Sequence, residues 1–79
     1  MRIEILGPGC AKCQTLAGNT ETAVKELELD CEVVKITDIE EIIKRGIMMT
    51  PALIVDGAVK TVGKVTSVGE IKSLLAESL

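Results

Sequence analysis

Two connections of opposite kind constrain the fold of this chain more than any other feature. Arg2 to Leu6 reads as a strand with Ile3 and Ile5 on one face, and Cys31 to Ile36 reads as a second, β-branched strand. Between them, from Ala11 to Leu27, the residues Leu16, Ala17, Ala23, Val24 and Leu27 recur at helical spacing, and Thr20 falls on the same face. Two strands joined by a helix should be parallel neighbours with a right-handed crossover. Further on, Ala52 to Val55 and Ala58 to Val62 are separated only by Asp56-Gly57, a strong two-residue hairpin turn, so those strands should be antiparallel.

The remaining segments complete the order. Gly7-Pro8-Gly9 breaks the first strand sharply. Gly18 weakens the first helix by about 1 kcal/mol relative to Ala, so that helix needs tertiary support. Thr37 and Glu40 have capping-box spacing, and Ile39, Ile42 and Ile43 mark a short second helix, with Gly46 placed to end it. Thr50-Pro51 stops any helix locally. Ser67 and Glu70 form a second capping box before Val68, Ile71, Leu74 and Leu75, which mark a terminal helix. The expected architecture is α/β, ordered β-α-β-α-β-β-α, with a mixed four-stranded sheet flanked by helices on both faces. No linker, low-complexity tract or internal repeat divides residues 1–79, and a single domain is expected.

Composition narrows the function. The formal charge is −3 and no basic cluster occurs, which argues against nucleic acid as a partner. No apolar run approaches the roughly 20 residues that span a membrane. The apolar start of the chain is too short for a signal peptide and is interrupted by Glu4, so a cytoplasmic location is expected, where thiols stay mostly reduced. There is no His, which removes the commonest general base and zinc ligand. There is no Phe, Tyr or Trp, so the core must be built from aliphatic residues and Met. Three cysteines are too few for a disulfide-stapled scaffold and, without His, for a closed four-ligand zinc site.

The chemistry lies in Cys10-Ala11-Lys12-Cys13, where the first strand feeds the first helix. A sulfur at the positive end of a helix dipole is favoured as thiolate, the species that attacks disulfides and binds soft metals. Cys10 is the more exposed candidate and the expected attacker, Cys13 one turn further in the resolving thiol, and Lys12 adds a positive charge nearby. Two readings are therefore open: thiol–disulfide exchange, and a Cu(I) or other soft-metal module using the same pair. Heavy-metal-associated domains also place such a pair after strand 1, but their order is β-α-β-β-α-β. A third reading is a regulatory or scaffolding domain whose disulfide senses redox state without turning over. The Gly7-Pro8-Gly9 loop is not a dinucleotide fingerprint, since the third glycine is absent.

The element order, the Cys10–Cys13 pair at the first helix and Thr50-Pro51 before the third strand resemble the thioredoxin fold, and most closely its small, glutaredoxin-sized redox-active disulfide proteins. The resemblance covers essentially the whole chain. It implies that Cys10 is the nucleophile, that Cys13 resolves, and that Pro51 is cis and faces the cysteines, with Thr50 presenting backbone groups to an extended substrate. It implies that Gly63 lets a substrate chain approach. The implied partners are disulfide-containing proteins and a reductase of the thioredoxin-reductase type; neither a cofactor nor a resident metal is implied, and a monomer is expected. Between the cysteines stand Ala11-Lys12 in place of the Gly-Pro of common thioredoxins, and the preceding residue is Gly9 where a Trp is usual.

Five positions have a plainer reading beside the functional one. In the family a buried acid near the position of Glu4 serves the second thiol as proton acceptor. The residues alone favour an exposed strand-end acid, because carboxylates are seldom buried without a partner. Cys31 is expected as a small core hydrophobe, with a third redox thiol or metal ligand as the alternative. Met48 and Met49 are expected to fill the core, with a place in a substrate groove or as soft ligands as the alternative. Gly63 is equally well read as a turn glycine.

Overall fold

The structure, a computed structural model, describes residues 1–9 and 11–77. In chain order the elements are β1 (Arg2–Leu6), α1 (Ala11–Glu26), β2 (Glu32–Ile36), α2 (Ile39–Lys44), β3 (Ala52–Val55), β4 (Ala58–Val62) and α3 (Val68–Glu77). They form one four-stranded sheet in the order β2-β1-β3-β4. β1 pairs parallel with β2, Arg2 opposite Glu32 through Leu6 opposite Ile36. β1 pairs antiparallel with β3, and β3 antiparallel with β4. The mixed α/β architecture expected from the two connections is the one observed.

Alternation along the two central strands sorts their side chains. Ile3 and Ile5 of β1 and Leu53 and Val55 of β3 pack with Leu16, Ala17 and Ala23 of α1 and Ile71 and Leu75 of α3. Leu6, Ala52 and Ile54 face the other way, onto Ile42 of α2 and Ile47 just beyond it. α1 and α3 thus cover one face and α2 the other. Thr20 joins the buried face of α1 by donating its hydroxyl proton to the Leu16 carbonyl at 2.8 Å. Lys72 of α3 reaches Glu26 of α1 at 3.0 Å, and Asn19 donates to the Thr66 carbonyl at 3.0 Å.

Local signals explain the boundaries. Asp56 and Gly57 both take positive φ, 49° and 83°, as a tight hairpin turn with the twist of its strands requires. Asp56 also exchanges two hydrogen bonds with Arg2: its N–H donates to the Arg2 carbonyl at 2.8 Å, and its Oδ1 accepts from the Arg2 N–H at 2.7 Å. The β3–β4 ladder slips between Leu53 and Ile54, whose partners are Thr61 and Val59, leaving Lys60 as an extra residue on the edge strand. The cap of α2 differs from the sequence reading. Asp38, not Thr37, is the N-cap, its Oδ1 accepting from the Glu40 N–H at 2.9 Å. Both residues are good caps; Asp38 stands next to the first helical residue, and its carboxylate also suits the positive helix end. Gly46 at φ 77° ends α2 as expected, donating to the Ile43 carbonyl at 2.9 Å. Ser67 caps α3, its Oγ accepting from the Glu70 N–H at 3.3 Å. Among the described residues, no helix is long and apolar enough to cross a membrane.

Candidate active site

The carboxyl end of β1 carries the site. The Gly7 N–H donates to the Ile36 carbonyl at 2.9 Å, which holds the end of β1 against the end of β2. Pro8 and Gly9 then turn the chain in the open, Gly9 at φ 92°. Cys10 lies outside the described residues, and α1 opens at the residue after it. The turn is tied to the helix by Gln14, whose amide donates to the Gly9 carbonyl at 3.0 Å. The first turn of α1 holds no acidic residue, so nothing there opposes the positive helix end. Lys12 is exposed. Cys13 is buried, on the side of α1 that faces the sheet.

Gly7 is where the pieces meet. A Cβ placed on Gly7 would overlap Cys13 Sγ and lie 3.8 Å from Thr50 Cβ. The Cys13 sulfur and Thr50 are therefore neighbours across one glycine, and the sulfur's seat exists because that glycine has no side chain. The sequence marks Gly7 only as a strand breaker. Its closeness to Cys13 arises when α1 docks on the sheet, so no local pattern could reveal it.

The Thr50–Pro51 peptide bond is cis. Thr50 is half-buried and Pro51 fully buried. The Gly63 N–H donates to the Pro51 carbonyl at 2.9 Å, which joins the end of β4 to the proline segment. Gly63 has φ 72°, and a Cβ there would meet Met49 Cε at 2.9 Å. Thr50, Pro51 and Gly63, distant in sequence from the cysteine segment, are thus gathered with Cys13 at one end of the sheet. Beside them, a groove of about 490 Å³ is lined by Pro8, Thr50, Met48 and the isoleucines of α2 and its exit. Met48 and Met49 do not fill the core as the sequence reading expected: they are 93% and 61% exposed. The small cluster on the α2 face is made by Leu6, Ile42, Ile47, Ala52 and Ile54, so Ile47, not either methionine, fills the core from this segment.

Glu4 is the second correction. Instead of an exposed strand-end acid it is 5% exposed. It stands mid-strand in β1 between Val34 and Ile54 and on the α2 face, opposite to Ile3 and Ile5. Its burial is compensated by charge. Oε2 forms an ion pair with Nη1 of Arg45, the C-cap residue of α2, and Oε1 lies 3.9 Å from Nε of Arg2. The sequence reading lacked Arg45, which is 41 positions away (45 minus 4) and reaches Glu4 only through the packing of α2.

Cys31 is half-buried against the larger core, its Sγ 3.8 Å from Sδ of Met1, and burial raises its thiol above the usual range. Because β1 and β2 run parallel, it sits beside the start of β1, about 16 Å of strand from the Gly7 end. The core-hydrophobe reading fits this place. Among the described residues, no group of three or more Cys, Asp or Glu is gathered to hold a metal ion.

Comparison with known proteins agrees with this geometry. A family model described as "Thioredoxin domain" matches residues 1–76. A thioredoxin of Methanothermobacter thermautotrophicus is 46% identical over 76 residues, covering 96% of this chain and 99% of its own length. A thioredoxin of Methanocaldococcus jannaschii is 42% identical over 77 residues, covering 98% of this chain and 88% of its own. The chain belongs to the thioredoxin family.

Proposed function

We propose that this protein is a thiol–disulfide oxidoreductase whose redox centre is the Cys10–Cys13 pair and whose substrates are disulfides of other proteins. The Cys10 thiolate attacks one sulfur of the substrate disulfide, forming a mixed disulfide and releasing the other substrate sulfur as thiolate. Cys13, as thiolate, then attacks Cys10 Sγ; the second substrate sulfur leaves and the Cys10–Cys13 disulfide closes. Two electrons pass to the substrate, and a reductase of the thioredoxin-reductase type returns them. Thr50 offers its backbone to an extended substrate segment, and Pro51 and Gly63 shape the same rim. Residues 1–79 act as a single monomeric domain in the cytoplasm, with no nucleic acid or membrane partner.

The observation that carries this reading is the placement of Cys13 in the first turn of α1, its sulfur seated against Gly7 with Thr50 on the other side. A helix opening free of acidic residues suits a thiolate on Cys10. The order of elements also has a helix, α2, after the second strand, where the heavy-metal-associated modules that share the cysteine spacing go directly to a third strand.

Reduction of insulin disulfides tests the proposal. The wild-type chain should turn over with a dithiol donor. Cys10→Ser should abolish exchange, and Cys13→Ser should accumulate a mixed disulfide visible as a covalent adduct. Normal turnover by Cys13→Ser would refute the resolving role. Tight Cu(I) binding without any disulfide reduction would move the assignment to the metal module.

A further inference from the structure

The ion pair between the buried Glu4 and the exposed Arg45 at the end of α2 has no part in the exchange steps above, yet it adjoins the segment that borders the groove. Arg45 caps α2, its N–H donating to the Glu41 carbonyl at 3.2 Å. The chain then passes through Gly46 to Ile47, which is 5% exposed, and on to the exposed Met48 and Met49, Thr50 and Pro51. Residues 45–50 thus have two anchors toward the sheet, Ile47 in the apolar cluster and Arg45 on Glu4. α2 itself is only six residues long, too short to be stable without tertiary contacts. Glu4 is on a central strand, held by β2 on one side and β3 on the other, so it is the fixed member of the pair.

Resting on the oxidoreductase reading, we infer that Glu4 is a positioning residue for substrate: through Arg45 it holds the 45–50 segment, and with it the Met48–Thr50 wall of the groove, in register with the thiol end of β1. It follows that Glu4 is not the proton acceptor of Cys13. The carboxylate lies on the α2 face of β1, whereas α1, which bears Cys13, covers the other. Its two oxygens face Arg45 and Arg2, and Arg2 in turn lies 3.9 Å from Glu32 at the solvent edge. An acid serving the resolving thiol would act on every disulfide alike. An acid holding a groove wall acts only on substrates large enough to touch that wall.

The test compares Glu4→Gln, Arg45→Gln, Arg45→Lys and the Gln/Gln double variant on insulin and on 2-hydroxyethyl disulfide, which is too small to span the groove. Both single Gln variants should raise KM for insulin by roughly tenfold, the order a lost charge-assisted contact gives. Their kcat and their rates on the small disulfide should stay within about twofold, because neither side chain is on the α1 face that carries the Cys13 sulfur. Arg45→Lys should recover most of the insulin KM. The double variant should be no worse than Arg45→Gln, because one contact is lost only once. Amide exchange of Arg45 and Ile47 should accelerate in both single Gln variants relative to that of β1. Should Glu4→Gln fail to fold, Arg45→Gln reads the same contact from its exposed side.

The inference is overturned if Glu4→Gln slows both substrates and accumulates the mixed disulfide while Arg45→Gln does not, since that is the signature of a proton acceptor. It is overturned equally if exchange at Arg45 and Ile47 is unchanged. A wild-type chain that reduces neither disulfide would refute the oxidoreductase reading instead; the exchange measurement still decides whether Glu4 holds the segment.

Discussion

The two faces of the sheet are built on different principles. On one, two longer helices lay aliphatic side chains onto Ile3, Ile5, Leu53 and Val55, and the buried polar side chains beside them, Thr20 and Thr66, have their hydroxyls hydrogen-bonded within the protein. On the other, a six-residue helix contributes Ile42 to a smaller cluster and leaves Ile39 and Ile43 60% and 65% exposed, and the sheet beneath carries a buried carboxylate. The first face is held by apolar burial, which is non-directional and tolerant of local detail. The second is held partly by one ion pair, which is directional and fails when either member is lost. Cys13 stands on the first face, and the groove wall on the second. A reacting sulfur gains from a rigid seat, while a surface that must receive different proteins can be held more lightly.

This contrast can be broken by mutation. Leu16→Ala on α1 removes a fully buried side chain from the larger cluster and should destabilise the protein by about 2–5 kcal/mol, read by urea denaturation. A cost below that of Ile42→Ala, on the α2 face, would contradict the ranking of the two faces. Gly7→Ala should cost about 1–3 kcal/mol through overpacking and displace the Cys13 sulfur, slowing closure of the mixed disulfide in a single-turnover assay. Unchanged closure would show that the seat at Gly7 does not govern the resolving thiol.

Two smaller effects sharpen it. Ile43→Ser alters an exposed residue of the groove and should leave stability within about 0.5 kcal/mol of wild type. Its KM for a protein disulfide should rise while turnover of a small disulfide holds, and equal effects on both substrates would exclude the groove from docking. The smallest effect concerns Cys31, whose thiol is raised by burial. The unfolded chain loses that proton first, so it binds fewer protons than the native one as pH climbs past about 8.5. The contribution to stability is complete below the unfolded pKa and is lost as pH rises through the folded one. Cys31→Ala should therefore flatten the alkaline decline of stability, measured by denaturant melts from neutral to alkaline pH, and an unchanged slope would sink the assignment.

Features with local causes were legible in the chain. The Asp56-Gly57 hairpin, the end of α2 at Gly46, the Ser67 cap and the strand–helix–strand unit each follow from steric or hydrogen-bonding preferences of a few adjacent residues, and each stands where expected. The cap of α2 is not decided by spacing alone, because Thr37 and Asp38 are both competent caps and only the folded chain selects Asp38. The burial of Glu4 and the exposure of Met48 and Met49 are not legible in the sequence for a different reason. Whether a carboxylate can be buried depends on a partner, and the partner is brought by a separate element.

Sequence was enough for the order of elements, the parallel and antiparallel pairings and the position of Cys13 in the opening turn of a helix, because apolar periodicity and turn chemistry act within a few residues. It could not say that Gly7 leaves room for the Cys13 sulfur, that Gly63 is tied to Pro51, or that Arg45 neutralises Glu4. Those are contacts between segments far apart along the chain, and they exist only once the helices have settled onto their two faces of the sheet.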